Sequence, residues 1–406
     1  MPAGSGEQIA HFGNLLLFLL LLSCALAVSG AYAPAFPYLG FAGTMLLTRY
    51  TPWFVVVPLV IACLELGFWH KRRKRSALVF CAAASITALG AGNILGRTAA
   101  VCHANGVNID MLRAFDVRSI DEQVKPDAVV GYGSDERGPL ELAVYRPRFK
   151  NGVRNDARSA PVLMYVHGGG WISGSKLQHD SEMRWFAEQG WLVVSVDYRL
   201  SNAQLHGWDR STGEIGCAMA WVGANAAAYG GDAERFSMTG DSSGGNLAVN
   251  AAYEGNRGSL ESDCKDKTWQ AIPHVSAVIA EYPVLDAASF FTNKDRMFGN
   301  VVRAMAVAYT GGTPAQFPER YAAIASRAHI SGAAPPTLIL AAESDHLVSI
   351  APALEFDKEA QAAGVDERLI RLSYAEHGFD DIDGSIGNQL YLKAAAHFME
   401  AHGQKP

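Results

Sequence analysis

Between Gly13 and Thr48 this chain has no charged residue, and Leu, Ala and Val dominate Leu15–Ala33. A run that apolar is long enough to cross a bilayer as a helix, which takes about 20 residues. It fits a cleaved signal peptide poorly, because Met1–Asn14 lacks Lys and Arg and two more apolar runs follow. Cysteine is sparse: Cys24, Cys63, Cys81, Cys102, Cys217 and Cys264 are scattered, with no CxxC and no Cys/His cluster. That spacing offers no metal site. Three of the six lie in apolar segments, where Cys serves as a small hydrophobe. The other three leave room for one disulfide and one thiol, with the pairing open. GxGxxG and a Walker lysine are missing, so the Gly-rich segments do not read as nucleotide-binding loops. No internal repeat is visible. A basic face is missing as well. The chain has 34 Lys and Arg against 40 Asp and Glu, and residues 1–98 hold seven and two of these (the acids are Glu7 and Glu65). That leaves 27 basic and 38 acidic residues in 99–406, a net charge near −11. Nucleic acid is therefore not an expected partner, since phosphate binding needs a positive surface.

What is present begins with hydrophobic runs. A second covers Trp53–Trp69, interrupted by Glu65, and a third covers Ser76–Gly96. The five residues Lys71-Arg72-Arg73-Lys74-Arg75 lie between them. In isolation this cluster resembles a nuclear-localisation or nucleic-acid patch. Between two apolar runs it reads as a cytoplasmic loop obeying the positive-inside rule. Residues 1–98 are thus expected to form a multi-pass membrane region of about three helices. The stretch Pro34–Leu47 is too short for a fourth and is expected to be interfacial. This topology puts the N-terminus inside and everything after Arg97 in the periplasm or outside the cell.

Residues 99–406 read as one catalytic domain. After a polar connector, short β-type runs alternate with helix-length segments, the pattern of a mostly parallel α/β sheet. The β-type runs are Ala128–Tyr132, Leu140–Tyr145, Pro161–Val166, Trp191–Val196, Phe236–Thr239, Val278–Ile279, Thr337–Leu340 and Leu369–Leu372. The segment Asp286–Arg327 is too long for a simple link between strands and reads as a helical cap.

Four segments carry chemistry. Gly240-Asp241-Ser242-Ser243-Gly244 is a GxSxG between a β run and a helix, where small residues permit the sharp elbow that exposes a serine nucleophile. His167-Gly168-Gly169-Gly170-Trp171 follows the run 161–166, and its glycine amides, with that of Ser243, can cradle a tetrahedral oxyanion. Asp345 then follows the run 337–340, and His377 follows 369–372. Singly each is unremarkable; together they give the strand-end order Ser, Asp, His. Other residues read as structural. Asp197 and Arg199 fall in this class, and Asp380 reads as a surface or loop-fixing carboxylate. His179, His206, His274 and His346 have no partner at metal spacing and read as solvated. Trp171 either lines the acyl pocket or packs.

The segments HGGGW, DYRL (Asp197–Leu200), GDSSGGNLA, DHLV and HGF resemble the hormone-sensitive-lipase-like and BD-FAE-like esterases of the α/β-hydrolase fold, over about residues 125–400. Isoprenylcysteine methylesterases look similar too, and combine such a hydrolase with membrane segments. The resemblance implies an α/β-hydrolase fold with a helical cap. It implies Ser242 as nucleophile, His377 as general base and Asp345 as the acid that orients it. Gly168, Gly169 and Ser243 would be oxyanion donors. Neither metal nor organic cofactor is implied. The acid lies in SDHLV, not in the DPLxDE of many relatives, so Glu343 is a minor rival to Asp345. The implied activity is hydrolysis of a small-molecule or lipid-like carboxylic ester through an acyl-enzyme. Acyl transfer through the same intermediate, or a catalytically silent membrane receptor or scaffold, are the alternatives. Oligomeric state is not readable.

Overall fold

The structure, a computed structural model of the chain, describes all residues except 1–3, 73–74, 117–123, 136–137, 149–158, 263, 265–268 and 270. The side chains of 4–11, 71–72 and 135 also lie outside the described residues, so that most of the basic cluster 71–75 does too. The chain forms two compact units: Met1–Arg118 with Leu372–Gln389, and Ser119–Arg371 with Leu390–Pro406. The division expected at residue 98 thus moves, and the segment carrying His377 groups with the N-terminal helices.

The first unit holds helices α1 (Gly4–Tyr32), α2 (Leu39–Arg72), α3 (Arg75–Ala104) and the short α4 (Met111–Ala114). The first three are long and apolar enough to cross a membrane. The stretch 34–47, expected to be a separate interfacial segment, mostly joins α2: that helix begins at Leu39 and runs through a kink at Tyr50 (φ −127°, ψ 23°). Pro52 explains the kink, since it has no N–H for the carbonyl four residues back and its ring crowds that carbonyl. At one level of the bundle Leu21, Ile61, Ala62 and Ala84 cluster. At another level Ala27, Val28, Ala31, Leu47, Ala91 and Ile94 do so, with Tyr374 packed on them. Residue numbers rise along α1 and α3 and fall along α2 between these levels, so the helices alternate in direction. Gly30 and Gly43 permit the close crossing of α1 and α2: a Cβ on Gly30 would strike the Leu39 carbonyl, and one on Gly43 the Ala27 carbonyl.

The second unit contains β1 (Ala128–Asp135), β2 (Gly138–Tyr145), β3 (Ala160–Val166), α5 (Asp180–Gln189), β4 (Leu192–Val196), α6 (Ser211–Asn225), β5 (Gly231–Asp241) and α7 (Ser242–Arg257). It continues with β6 (Val275–Glu281), α8 (Ala287–Phe291), α9 (Gly299–Thr310), α10 (Pro318–Ile324), β7 (Thr337–Ala342), α11 (Ala351–Ala362), β8 (Glu367–Leu372) and α12 (Ile386–Ala401). The unit division falls inside β8 and α12. Eight strands form one sheet in the order β1-β2-β4-β3-β5-β6-β7-β8. β1 and β2 pair antiparallel, as do β2 and β4. The β4-β3-β5-β6-β7 run is parallel. Every residue of β3 and β4 is buried, which is why these runs read as continuously apolar rather than alternating. The segment expected to form a cap supplies α8, α9 and α10. α12 is an element that the sequence pattern did not reveal.

The open disulfide question resolves as Cys217–Cys264, tying α6 to the connection after α7 with Cα atoms 5.0 Å apart. The bond closes a separation of 47 residues, for which loop-closure entropy gives a stabilisation of about 4 kcal/mol at most. Replacing both cysteines by alanine should therefore lower denaturant stability by roughly 2–4 kcal/mol, and a reducing agent should reproduce the loss in wild type but not in the variant.

Candidate active site

The GxSxG turn is a steric construction. β5 ends at Asp241 and α7 begins at Ser242 without an intervening loop. Ser242 takes φ +52° to make this turn, a left-handed conformation that costs a non-glycine residue about 1–2 kcal/mol and that surrounding structure must hold. Glycines two positions either side make room. A Cβ on Gly240 would lie 2.6 Å from the Gly244 carbonyl oxygen, and one on Gly244 would strike the carbonyls of Val166 and His167. Elbow and HGGG loop therefore touch backbone to backbone. Ser242 and Ser243 open α7, whose first amides have no intrahelical acceptor and carry the positive end of the helix dipole.

Asp241 joins this elbow to the loop after β3. Its carboxylate is nearly wholly buried, and Oδ1 accepts from the Tyr165 hydroxyl (2.6 Å) and from the Gly168 amide (2.8 Å). The Trp171 amide donates to Ser243 Oγ at 3.1 Å, closing the loop onto the first turn of α7. His167 is structural: its Nδ1 donates to the Gly168 carbonyl (2.7 Å), and its ring stacks on Tyr198 at 4.4 Å. Burial lowers its proton affinity, against the opposing pull of the Gly168 carbonyl and the Asp241 carboxylate. The Tyr198 hydroxyl donates to the His167 carbonyl at 3.1 Å. Burial in turn raises the Tyr198 pKa, so this hydroxyl stays a donor.

This network revises one expected role. The Gly168 amide, read from the sequence as an oxyanion donor, is committed to Asp241. Among the described residues the amides of Gly169 and Gly170 make no hydrogen bond, and both glycines have positive φ (107° and 62°). Trp171 packs: it is fully buried, stacked on Tyr309 (4.4 Å, 3°) and edge-on to Phe290 (5.9 Å). Its partners come from α8 and α9, and Met305 of α9 lies where a Cβ on Gly170 would be. The inserted helices thus brace the HGGG loop.

Asp345 follows β7, with β6 between its strand and β5 in the sheet. Its Oδ1 accepts from the amides of Leu347 and Val348, both at 2.8 Å, which fixes the carboxylate plane. The rival Glu343 is paired through Oε1 with the Arg371 guanidinium, at 2.6 and 2.9 Å. His377 follows β8, in the first unit, and its amide donates to Glu376 Oε1 at 3.0 Å.

Other readings change with the structure. His179 is not solvated: its side chain is 8% exposed and its Nδ1 lies 3.2 Å from Glu182. His206 is half-buried, with Nδ1 2.7 Å from the Ala308 carbonyl. Asp380 is fully buried and not at the surface. Asp197 and Arg199 are structural as expected: Asp197 binds the Lys176 amide and ammonium (2.6 and 2.9 Å), and Arg199 reaches the Gly138 carbonyl at 2.6 Å.

The sheet order and helix placement are those of an α/β-hydrolase. The thermophilic esterase Est2 of Thermogutta terrifontis shares this fold, with a TM-score of 0.55 and 24% identity over 72% of this chain and 98% of that one. The protein belongs to the BD-FAE family, whose profile matches residues 151–359, just over half of the chain. That match includes Gly168, Gly169, Ser242, Ser243 and Asp345, whereas His377 lies beyond it. Esterase LipC of Mycobacterium tuberculosis is 27% identical over 56% of this chain and 55% of its own length. Carboxylesterase NlhH of the same species is 36% identical over 36% of this chain and 44% of its own. A probable isoprenylcysteine alpha-carbonyl methylesterase of Oryza sativa subsp. japonica, ICMEL1, is 37% identical over 30% and 26%. The chain spans about half the length of the first relatives it matches.

If Asp241 is the brace described, Asp241→Ala strands two buried donors at about 1–3 kcal/mol each. Loosening of the HGGG loop should then lower kcat on model esters by on the order of 100-fold. Parallel measurements of melting temperature and turnover check both effects.

Proposed function

We propose that this protein is a membrane-anchored serine carboxylesterase working through Ser242, His377 and Asp345. The observation that carries the proposal is the strained Ser242 elbow, locked through Asp241 to a glycine loop with uncommitted amides. The naming of sequence relatives as esterases supports the reaction class.

In the proposed reaction the Ser242 hydroxyl attacks the ester carbonyl carbon as His377 takes its proton. The oxyanion is held by the amides of Gly169, Gly170 and Ser243, with the dipole of α7 favouring the same charge. His377 passes the proton to the leaving alkoxide, and the alcohol departs. Water, deprotonated by His377, then cleaves the acyl-enzyme, releasing the acid and restoring Ser242. Asp345 holds the imidazole tautomer. Glu343 is the weaker candidate because its carboxylate already serves Arg371. Aromatic and thioether side chains of the inserted helices crowd the HGGG loop, which favours short to medium acyl esters, among them acetyl esters of a larger alcohol, with methyl esters carried on a lipid-like group as the other small-ester class.

The helices α1–α3 form the anchor in this reading. α2 ends at Arg72 and α3 begins at Arg75, both at the end of the bundle away from the Ala31–Leu47–Ile94 level where Tyr374 packs, and the sequence cluster 71–75 spans these two helix ends. With the cluster kept in the cytoplasm, the Tyr374 end faces the periplasm or exterior. A disulfide in the second unit suits such an oxidising compartment.

Ser242→Ala should reduce hydrolysis of p-nitrophenyl esters on the order of 10⁴-fold without lowering the melting temperature; retention of half the activity would remove Ser242 from the role. Asp345→Asn should cost far more turnover than Glu343→Gln, and the reverse ranking would transfer the acid's role to Glu343. For topology, an alkaline phosphatase fused after Arg97 should be active, whereas activity of a cytoplasmic reporter there would reverse the orientation.

A further inference from the structure

The residue before His377 is held by a transmembrane-type helix. Glu376 is fully buried, and Thr44 Oγ1 on α2 donates to its Oε2 at 2.7 Å. The Glu376 amide donates to Thr48 Oγ1 at 3.0 Å, and Thr48 also reaches the Tyr374 carbonyl at 3.4 Å. The other carboxylate oxygen of Glu376 receives the His377 amide. Thr44 and Thr48 are four residues apart, one turn of α2, and so present their hydroxyls on one face. Thus side chain and backbone of Glu376 are both gripped from α2, and the grip passes directly to the His377 backbone.

The same end of the bundle secures the chain on both sides of this point. Tyr374 takes φ +62° and meets Tyr32 of α1 edge-on at 5.1 Å. Arg97 of α3 lies over the Tyr374 ring at 5.9 Å. Downstream, Asp381 pairs with Arg49 at 2.5 Å, and Gln389 exchanges hydrogen bonds of 2.7 and 2.9 Å with the backbone of Asp110. All these contacts lie within the first unit.

We infer that Thr44 and Thr48 are positioning residues for His377, acting through the backbone of Glu376 within the first unit. The inference rests on His377 being the general base. α2 sets the backbone path through Glu376, and that path sets where the imidazole stands. A general base must lie within hydrogen-bond reach of the proton it takes, so a small displacement of this segment acts on turnover rather than on substrate binding.

The test uses the full-length protein in detergent, with p-nitrophenyl acetate as probe. Thr44→Val and Thr48→Val keep shape and remove one hydroxyl, while Thr44→Ser and Thr48→Ser keep the hydroxyl. The valine variants should lose roughly 10- to 100-fold in kcat with KM nearly unchanged. The acid limb of their kcat/KM pH profile should also be displaced, and both serine variants should behave as wild type. His377→Ala separates the two claims. If it retains turnover, the general-base reading falls and this inference with it. If His377→Ala is inactive while folded valine variants keep wild-type kcat and pH profile, the base stands and the positioning role is overturned. Should the valine variants fail to fold, Arg49→Gln at the Asp381 ion pair serves instead. A several-fold fall in kcat at constant KM, with the acid limb displaced, supports the inference; unchanged kcat overturns it.

Discussion

The buried carboxylate of Asp241 is the constraint on which the arrangement of the second unit depends. It closes β5, precedes the elbow serine, and receives hydrogen bonds from the hydroxyl of Tyr165 on β3 and the amide of Gly168. Hydrogen bonds to a charged acceptor are worth about 1.5–3 kcal/mol each, comparable to the cost of the left-handed Ser242 backbone. One side chain thus balances the strain of the elbow and registers the HGGG loop against it. Gly244 and Gly168 are glycines for the same reason: where Asp241 draws strand, loop and helix together, there is no space for a Cβ.

Much of this unit was legible from residue order. Strands buried on both faces announce themselves as short apolar runs, and β3, β4 and β7 are such runs. The elbow and the glycine loop were legible because they use residues that no other conformation requires in that spacing. The role of Gly168 was not: which amide of HGGG points into the site depends on what else accepts a hydrogen bond nearby, and that acceptor, Asp241, is 73 residues away in sequence. Asp241 stood in plain sight within the GxSxG, but the x positions carry no spacing signal. Likewise His179 looked solvated because its partner Glu182 matters only once the backbone turns left-handed at His179 to start α5.

The division of the chain was the least legible feature. Three apolar runs and a basic cluster describe a membrane region well, and α1–α3 follow those runs. Nothing in the composition shows that Leu372–Gln389 groups with them, because the link is made by single side chains, among them two threonine hydroxyls, the arginines Arg49 and Arg97, the Gln389 amide and a tyrosine face. Thr44 and Thr48 sit in an apolar helix where hydroxyls ordinarily bond back to their own turn, as Thr87 does to Ala83. Here Thr48 turns outward to the Glu376 amide and the Tyr374 carbonyl, and Thr44, whose hydroxyl also lies 3.0 Å from the carbonyls of Gly40 and Phe41 in its own turn, reaches the Glu376 carboxylate at 2.7 Å. Polar residues in an otherwise apolar helix thus mark what that helix holds.

The central claim is that Ser242 is a nucleophile activated by His377. The direct measurement is peptide-mapping mass spectrometry after brief treatment of the full-length protein with a fluorophosphonate, which reacts with activated serines. The account predicts one phosphonyl adduct, on the peptide containing Ser242, abolished in Ser242→Ala and strongly slowed in His377→Ala. An adduct on another residue, or labelling of Ser242 that is as fast without His377 as with it, would contradict the account.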